Sequence, residues 1–170
     1  MDAYPVVKQF ARTLRNLDAV LDKAAKHAEA RKFDVNNFFG ARLYPDMLPF
    51  AFQVRNSCDT AKSAAAFLTG KEAPKHEDSE KTVPELRERI AKCVAYLDTF
   101  TPADFAGVKP DAMIKLPNRP GKGIPAAEYL YARQIPNFFF HVTTAYNLLR
   151  HGGVEIGKSD YLGPLGFVDL

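Results

Sequence analysis

The chain has 170 residues, of which 46% are hydrophobic and 25% charged, and its formal net charge is +3. That size and balance suit one domain spanning 1–170 with a single core, and they argue against a disordered chain. The small, evenly mixed charge excludes the concentrated basic face of a nucleic-acid binder, and no apolar run reaches the roughly 20 residues that cross a bilayer.

The opening Met1-Asp2-Ala3-Tyr4-Pro5 lacks the charged-then-apolar layout of a signal peptide, so a cytoplasmic location is expected. Val7, Phe10, Leu14, Leu17, Leu21, Ala24 and Ala28 recur at spacings of three and four, which predicts one apolar stripe on a helix of about 25 residues. Pro5 suits its first turn, where a missing N–H costs little. Asp22 and Lys26 are spaced for a solvent-side i, i+4 pair. His27 falls near the end of the helix, where the dipole favours an imidazolium.

Phe33 to Tyr44 reads as a loop rich in Asn, Gly and aromatic residues. A second helix is predicted from near Pro45 to Gly70, with Met47, Phe50, Val54, Cys58, Ala61, Ala65 and Leu68 as its stripe. Residues 71–81 are charged, contain Pro74 and show no period, which predicts a solvated connector with His76 in water. Thr82 and Glu85 then form a capping box ahead of a third stripe, Val83, Leu86, Ile90, Cys93, Leu97 and Phe100. Glu85 with Arg89, and Glu88 with Lys92, are spaced as pairs on its exposed side. The two cysteines, Cys58 and Cys93, both fall on apolar stripes. They read as reduced core thiols, too few for a disulfide framework or a thiolate metal site.

Between Thr101 and Pro125 proline and glycine dominate. Ala112 to Leu116 has the look of a short strand, Asn118 to Gly123 of a turn, and Ile124 of a brief return, so a small hairpin is predicted between helices three and four. The fourth helix runs from Ala126 to His151, with a bend expected at Pro136 and a stop at Gly152-Gly153. The tail, Val154 to Leu170, is expected to lie back over the helices. Four striped segments of similar length predict an all-α fold, an antiparallel four-helix bundle.

Within the fourth helix, Pro136-Asn137-Phe138-Phe139-Phe140-His141 sets one imidazole behind three aromatic rings. His141 shares the inward stripe with Phe138, Ala145 and Leu148, so it is the candidate catalytic residue, a general acid or base. The positions three and four residues on are Thr144 and Ala145, so the helix offers no second ligand and no metal or cofactor is predicted. Gln134, Asn137 and Thr144 surround His141 on its own helix, while Asp46, Gln53 and Ser57 follow one line on the second. Antiparallel packing would bring Gln53 opposite His141. Asp46, Gln53, Asn137 and Thr144 are therefore the candidate contacts for a small-molecule ligand. The same polar groups also suit a closed network that satisfies itself. No phosphate-cradling glycine loop and no strand-turn-helix serine is present.

Four stretches carry a resemblance. They are Ala41-Arg42-Leu43-Tyr44-Pro45-Asp46-Met47 with Gln53-Val54, then Cys58-Asp59-Thr60-Ala61-Lys62, then Pro136 through Tyr146, then Ile156 through Gly163. Together they resemble the family described as domain of unknown function DUF1993, itself similar to the DinB-like bundles. The resemblance implies a DinB-like four-helix bundle with up-down-down-up connectivity and a homodimer. DinB-like members typically hold a divalent metal through one histidine of the second helix and two of the fourth. Here only His141 is available, with Gln53 near the second-helix position, so that site does not carry over. Three functions remain: a metal-free small-molecule-binding bundle, a metal- or thiol-dependent transferase of the DinB-like kind, and a structural or dimerisation domain with a closed core.

Overall fold

The structure, a computed structural model, describes residues 1–117 and 119–169. In chain order the helices are α1 (Tyr4–Ala30), α2 (Phe50–Thr69), α3 (Val83–Asp98), the single turn α4 (Pro102–Phe105), α5 (Ala126–Glu128), α6 (Ile135–His151) and α7 (Lys158–Leu162). A 3-10 turn, Val35–Phe38, precedes α2, and a π-helical stretch, Tyr129–Gln134, joins α5 to α6. Strands β1 (Met113–Lys115) and β2 (Gly123–Pro125) pair antiparallel with Ile114 opposite Ile124, the hairpin the sequence predicts. Of its predicted turn, Asn118 lies outside the described residues.

The bundle forms because each long helix buries one stripe. All seven apolar stripe residues predicted for α1 are buried, and so are Phe50, Val54, Cys58, Ala61, Ala65 and Leu68 of α2. Helix directions follow from side-chain contacts. Lys8 near the start of α1 meets Asp98 at the end of α3 at 3.0 Å, and Arg87 near the start of α3 meets Asp18 at 2.7 Å, so these two helices are antiparallel. Gln53 and Ser63 of α2 meet His141 and Tyr129, so α2 and α6 are antiparallel too. The 3-10 turn marks one end of the bundle. α1 runs into it and Gly152 at the end of α6 packs on Phe38, while Val83 N–H donates to Asn36 Oδ1 at 2.8 Å and Ala51 N–H to Phe39 O. α1 and α6 therefore end where α2 and α3 begin, which is the up-down-down-up order.

Parallel α2 and α3 require the connector to travel back the length of the bundle. Residues 71–81 do so as an extended strap rather than a solvated loop. Lys62 Nζ donates to Pro74 O at 3.0 Å, Arg55 Nε to Glu80 at 2.9 Å, and Arg89 reaches Asp78 and Glu80. Arg89, expected on the exposed side with Glu85, is only 2% exposed. His76 is likewise drawn in: its side chain is 9% exposed and Nδ1 accepts from Lys62 Nζ at 3.0 Å. Periodicity could not show this, because a strap has none.

Two further boundaries differ from expectation. α2 starts at Phe50, not Pro45, with Pro49 as an extended N-cap. A proline disfavours helical torsions in the residue before it, here Leu48, so the helix nucleates behind Pro49. Met47 is thereby left in the preceding loop. In the fourth segment, the π stretch falls just ahead of Pro136, where Ile135 N–H donates to Leu130 O, five residues back. Pro136 has no N–H for Ala132 O and its ring crowds that carbonyl, so the wider turn relieves the conflict.

The tail folds back over the helices as far as Pro164, as expected, while Leu165, Phe167 and Val168 stand exposed beyond it and Leu170 lies outside the described residues. Lys23 pairs with Asp160 at 2.6 Å, Asn16 Nδ2 donates to Tyr161 O at 3.1 Å, and the Tyr146 and Tyr161 rings stand edge to face. Gly163 holds φ at +68°, and a Cβ there would lie 2.3 Å from Asn16 Oδ1. Gly163→Ala is expected to unseat the tail, lowering stability by about 1–3 kcal/mol in urea and exposing the chain after Leu162 to proteolysis.

Candidate functional site

α2 is rich in alanine on the faces it packs, but one of its lines is polar. Gln53, Asn56, Thr60 and Ser63 step along it at three- and four-residue spacing and face Tyr129, Gln134, Asn137 and His141 in antiparallel order. Tyr129 Oη donates to Ser63 O at 3.1 Å, Gln134 Nε2 to Thr60 O at 3.0 Å, and Asn137 Nδ2 to Thr60 Oγ1 at 2.7 Å. His141 closes the seam with Nδ1 2.7 Å from Gln53 Oε1 and Nε2 2.9 Å from Asn56 Nδ2. Buried polar groups need such partners, and this seam supplies them.

The proton positions follow from one anchor. Gln53 Nε2 donates to Leu48 O at 2.8 Å, which turns Oε1 towards the imidazole. Oε1 can only accept, so Nδ1 carries the hydrogen and Nε2 accepts from Asn56. This is a neutral imidazole with both nitrogens bonded. Burial alone pushes its pKa below the ordinary value, and it is 6% exposed. The Phe52 and Phe140 rings stand edge-on at 5.9 and 5.2 Å.

Of the residues expected around His141, Gln53 reaches it directly. Asn137 lies on the same seam but bonds Thr60. Thr144 Oγ1 donates back to Phe140 O at 2.7 Å within its own helix, and Ser57 does the same to Gln53 O. Asp46 is exposed in the loop before α2 and makes no hydrogen bond to His141, because the later helix start removes it from the line it was expected to share.

The donor set does not fit a divalent metal. His141 brings one imidazole nitrogen able to ligate, Nε2, which already accepts from Asn56, and the α2 side offers it neutral carboxamides, whereas zinc and its neighbours want several imidazole, thiolate or carboxylate ligands together. Among the described residues no three His, Cys, Asp or Glu side chains are grouped to hold a metal ion. Cys58 and Cys93 are buried free thiols, with Cys93 Sγ donating to Cys58 O at 3.3 Å, and the hydrogen-bonded Cys93 thiol, with burial, pushes Cys58 well up. Neither is poised as a nucleophile.

Beside the seam a cleft of about 240 Å³ opens between α2, the π stretch and the hairpin. Asn56, Thr60, Gln134 and Asn137 form its polar wall, Phe67, Leu116 and Pro117 its apolar wall, and Arg133 stands at its side. Asn56 therefore touches both the imidazole and the cleft. Asn56, Thr60 and Arg133 were not singled out in the sequence. The polar run 53-56-60-63 was the signal for the first two, visible at helical spacing, while Arg133 lies on the π stretch that the sequence pattern did not show.

No helix among the described residues is long and apolar enough to cross a membrane. Comparison with curated proteins gives no match. Among solved structures, a DinB family member protein from Shewanella denitrificans is similar, at 45% identity and a TM-score of 0.91, covering 96% of this chain and 93% of that one. The family model for the domain of unknown function DUF1993 matches residues 4–162. With a matching fold and nearly full-length coverage, this chain belongs to the DUF1993 family of DinB-like helical bundles.

Proposed function

We propose that this protein is a metal-free, small-molecule-binding bundle, whose ligand enters the cleft between α2, the π stretch and the hairpin while His141 orders its wall. The observation that carries this reading is the imidazole's environment. Both ring nitrogens are bonded to carboxamides, and Asn56 separates Nε2 from the cleft. A general base would need a free nitrogen within reach of substrate. Here the histidine fixes Asn56, and Asn56 presents itself to the ligand. A reducing cytoplasm is part of the proposal, in keeping with two buried free thiols.

Thermal-shift measurement against a library of small metabolites is the test, since a ligand that binds only the folded state raises the melting point. At a ligand concentration of about 100 times Kd the stabilisation is about 2.7 kcal/mol, easily seen. Thr60→Val, which keeps the shape of the wall but removes its hydroxyl, is expected to weaken any hit. EDTA is expected to leave the melting point unchanged. A stoichiometric zinc or nickel ion retained at His141 through purification would defeat the reading.

A further inference from the structure

The cleft's charges do not balance, and the imbalance says what it takes. Its one carboxylate, Asp59, is already bonded to Arg89 Nη2 and to Lys62 Nζ, both at 2.7 Å. Its one cation, Arg133, has no carboxylate partner among the described residues. The guanidinium is nonetheless held in place: Nη1 donates to Gln134 Oε1 at 2.5 Å, and the group lies 5.7 Å from the centre of the Tyr129 ring. Those two contacts occupy one edge and one face of the fork and leave the residue exposed at the cleft.

The neighbouring hydrogen bonds leave spare donors as well. Thr60 Oγ1 accepts from Asn137, so its own O–H is free to donate. Asn56 and Asn137 each use one amide N–H in the seam and keep a second. A fixed guanidinium beside hydroxyl and amide donors is the environment of an oxyanion, because charge-assisted bonds to planar carboxylates favour arginine. Opposite them Phe67, Leu116 and Pro117 offer an apolar wall, and the volume equals about eight waters at roughly 30 Å³ each.

We propose that the cleft binds a small carboxylate with a compact apolar body, anchored through its carboxylate by Arg133 and with its body against Phe67, Leu116 and Pro117. This rests on the cleft being the ligand site and adds the ligand's class and its anchor. The probes are benzoate, its neutral counterpart benzamide, and inorganic phosphate, followed through the side-chain amide NMR signals of Asn56 and Asn137. Benzoate is expected to move those signals saturably and to bind at least tenfold more tightly than benzamide. Arg133→Gln is expected to abolish that preference without unfolding the protein, since the residue is exposed, and Arg133→Lys to restore part of it. Equal binding of benzoate and benzamide would overturn the anionic class while leaving the cleft as a site. Phosphate binding more tightly than benzoate would overturn the carboxylate assignment, and unchanged benzoate affinity in Arg133→Gln would overturn the anchor. If no probe moves either amide, this proposal falls, while the cleft reading stands or falls by the metabolite library.

Discussion

Arg89→Met is expected to lower the stability of the fold by about 3 kcal/mol, read as a shift of the urea midpoint at unchanged slope. Arg89 is 2% exposed and serves three carboxylates: Asp59 on α2 at 2.7 Å, and Asp78 and Glu80 on the strap at 2.5 and 3.0 Å. Methionine fills a comparable volume but leaves that acid cluster with only Lys62 and Arg55. The penalty falls mainly on Glu80, whose side chain is largely buried and would keep Arg55 alone, because removing one partner of a buried pair leaves the other charge poorly compensated. Asp78 takes a left-handed φ of +53° to aim at Arg89, a torsion with nothing to hold it in the variant. Arg89→Lys is expected to recover little, since one ammonium cannot replace a fork that reaches three partners. Adding Glu80→Gln to Arg89→Met should restore part of the loss.

The same cluster sets an acid limit. Burial pushes the Glu80 carboxyl up, but hydrogen bonds from the backbone and from Arg89, with the charges of Arg89 and Arg55, outweigh it and leave the net value below 4.5. A depressed carboxylate contributes stability above its unfolded pKa and loses it as pH falls through the folded one. Removing Arg89 takes away its hydrogen bond and its charge and leaves the backbone hydrogen bond and Arg55 to oppose burial, so the acid unfolding limb should move to higher pH.

The bundle was legible because its helices are regular. Stripes on α1 and α3, the Thr82–Glu85 capping box and the hairpin around Ile114 and Ile124 each depend on local pattern, and each is present. What periodicity could not show was whatever depends on where a non-periodic segment goes. The strap looks like solvated linker until α2 and α3 are known to be parallel, and only then does it have to cross the face of Arg89. Even so, Arg89 sits three residues after Leu86 and four before Cys93, on the buried side of α3. The charge spacing to Glu85 suggested an exposed pair and outweighed that position. The candidate site was half legible for a similar reason. Gln53 and His141 are aligned by antiparallel packing alone, but the late start of α2 takes Asp46 off their line, and the cleft is bounded by the π stretch that carries Arg133.

Gln53→Leu is expected to destabilise the protein by about 2 kcal/mol, because it leaves His141 Nδ1–H buried without an acceptor. The double variant Gln53→Leu/His141→Phe should cost less than the sum of the two single changes, and the double-mutant cycle reads the difference as coupling. The pH dependence separates the two roles offered for this histidine. Burial lowers the pKa of His141, and burial first, then Lys62 and Arg89, lowers that of His76, while Asp59 and Glu80 pull His76 the other way. A histidine depressed in the folded state gives its full stability above the unfolded value of 6.5, and that stability falls as pH drops from there through the folded pKa. Wild-type stability should therefore decline below pH 6.5, before most carboxylates titrate, with each imidazole adding no more than about 1.4 kcal/mol per pH unit. His76→Gln should remove one share of that slope and His141→Phe the other. Nitrogen NMR of the imidazoles gives the sharper reading. At neutral pH His141 should appear as the Nδ1–H tautomer with a slowly exchanging proton, since Gln53 Oε1 can only accept. A hydrogen on Nε2 instead would free the histidine to face Asn56 as a donor, invert the seam, and return His141 to the list of groups able to move a proton into the cleft.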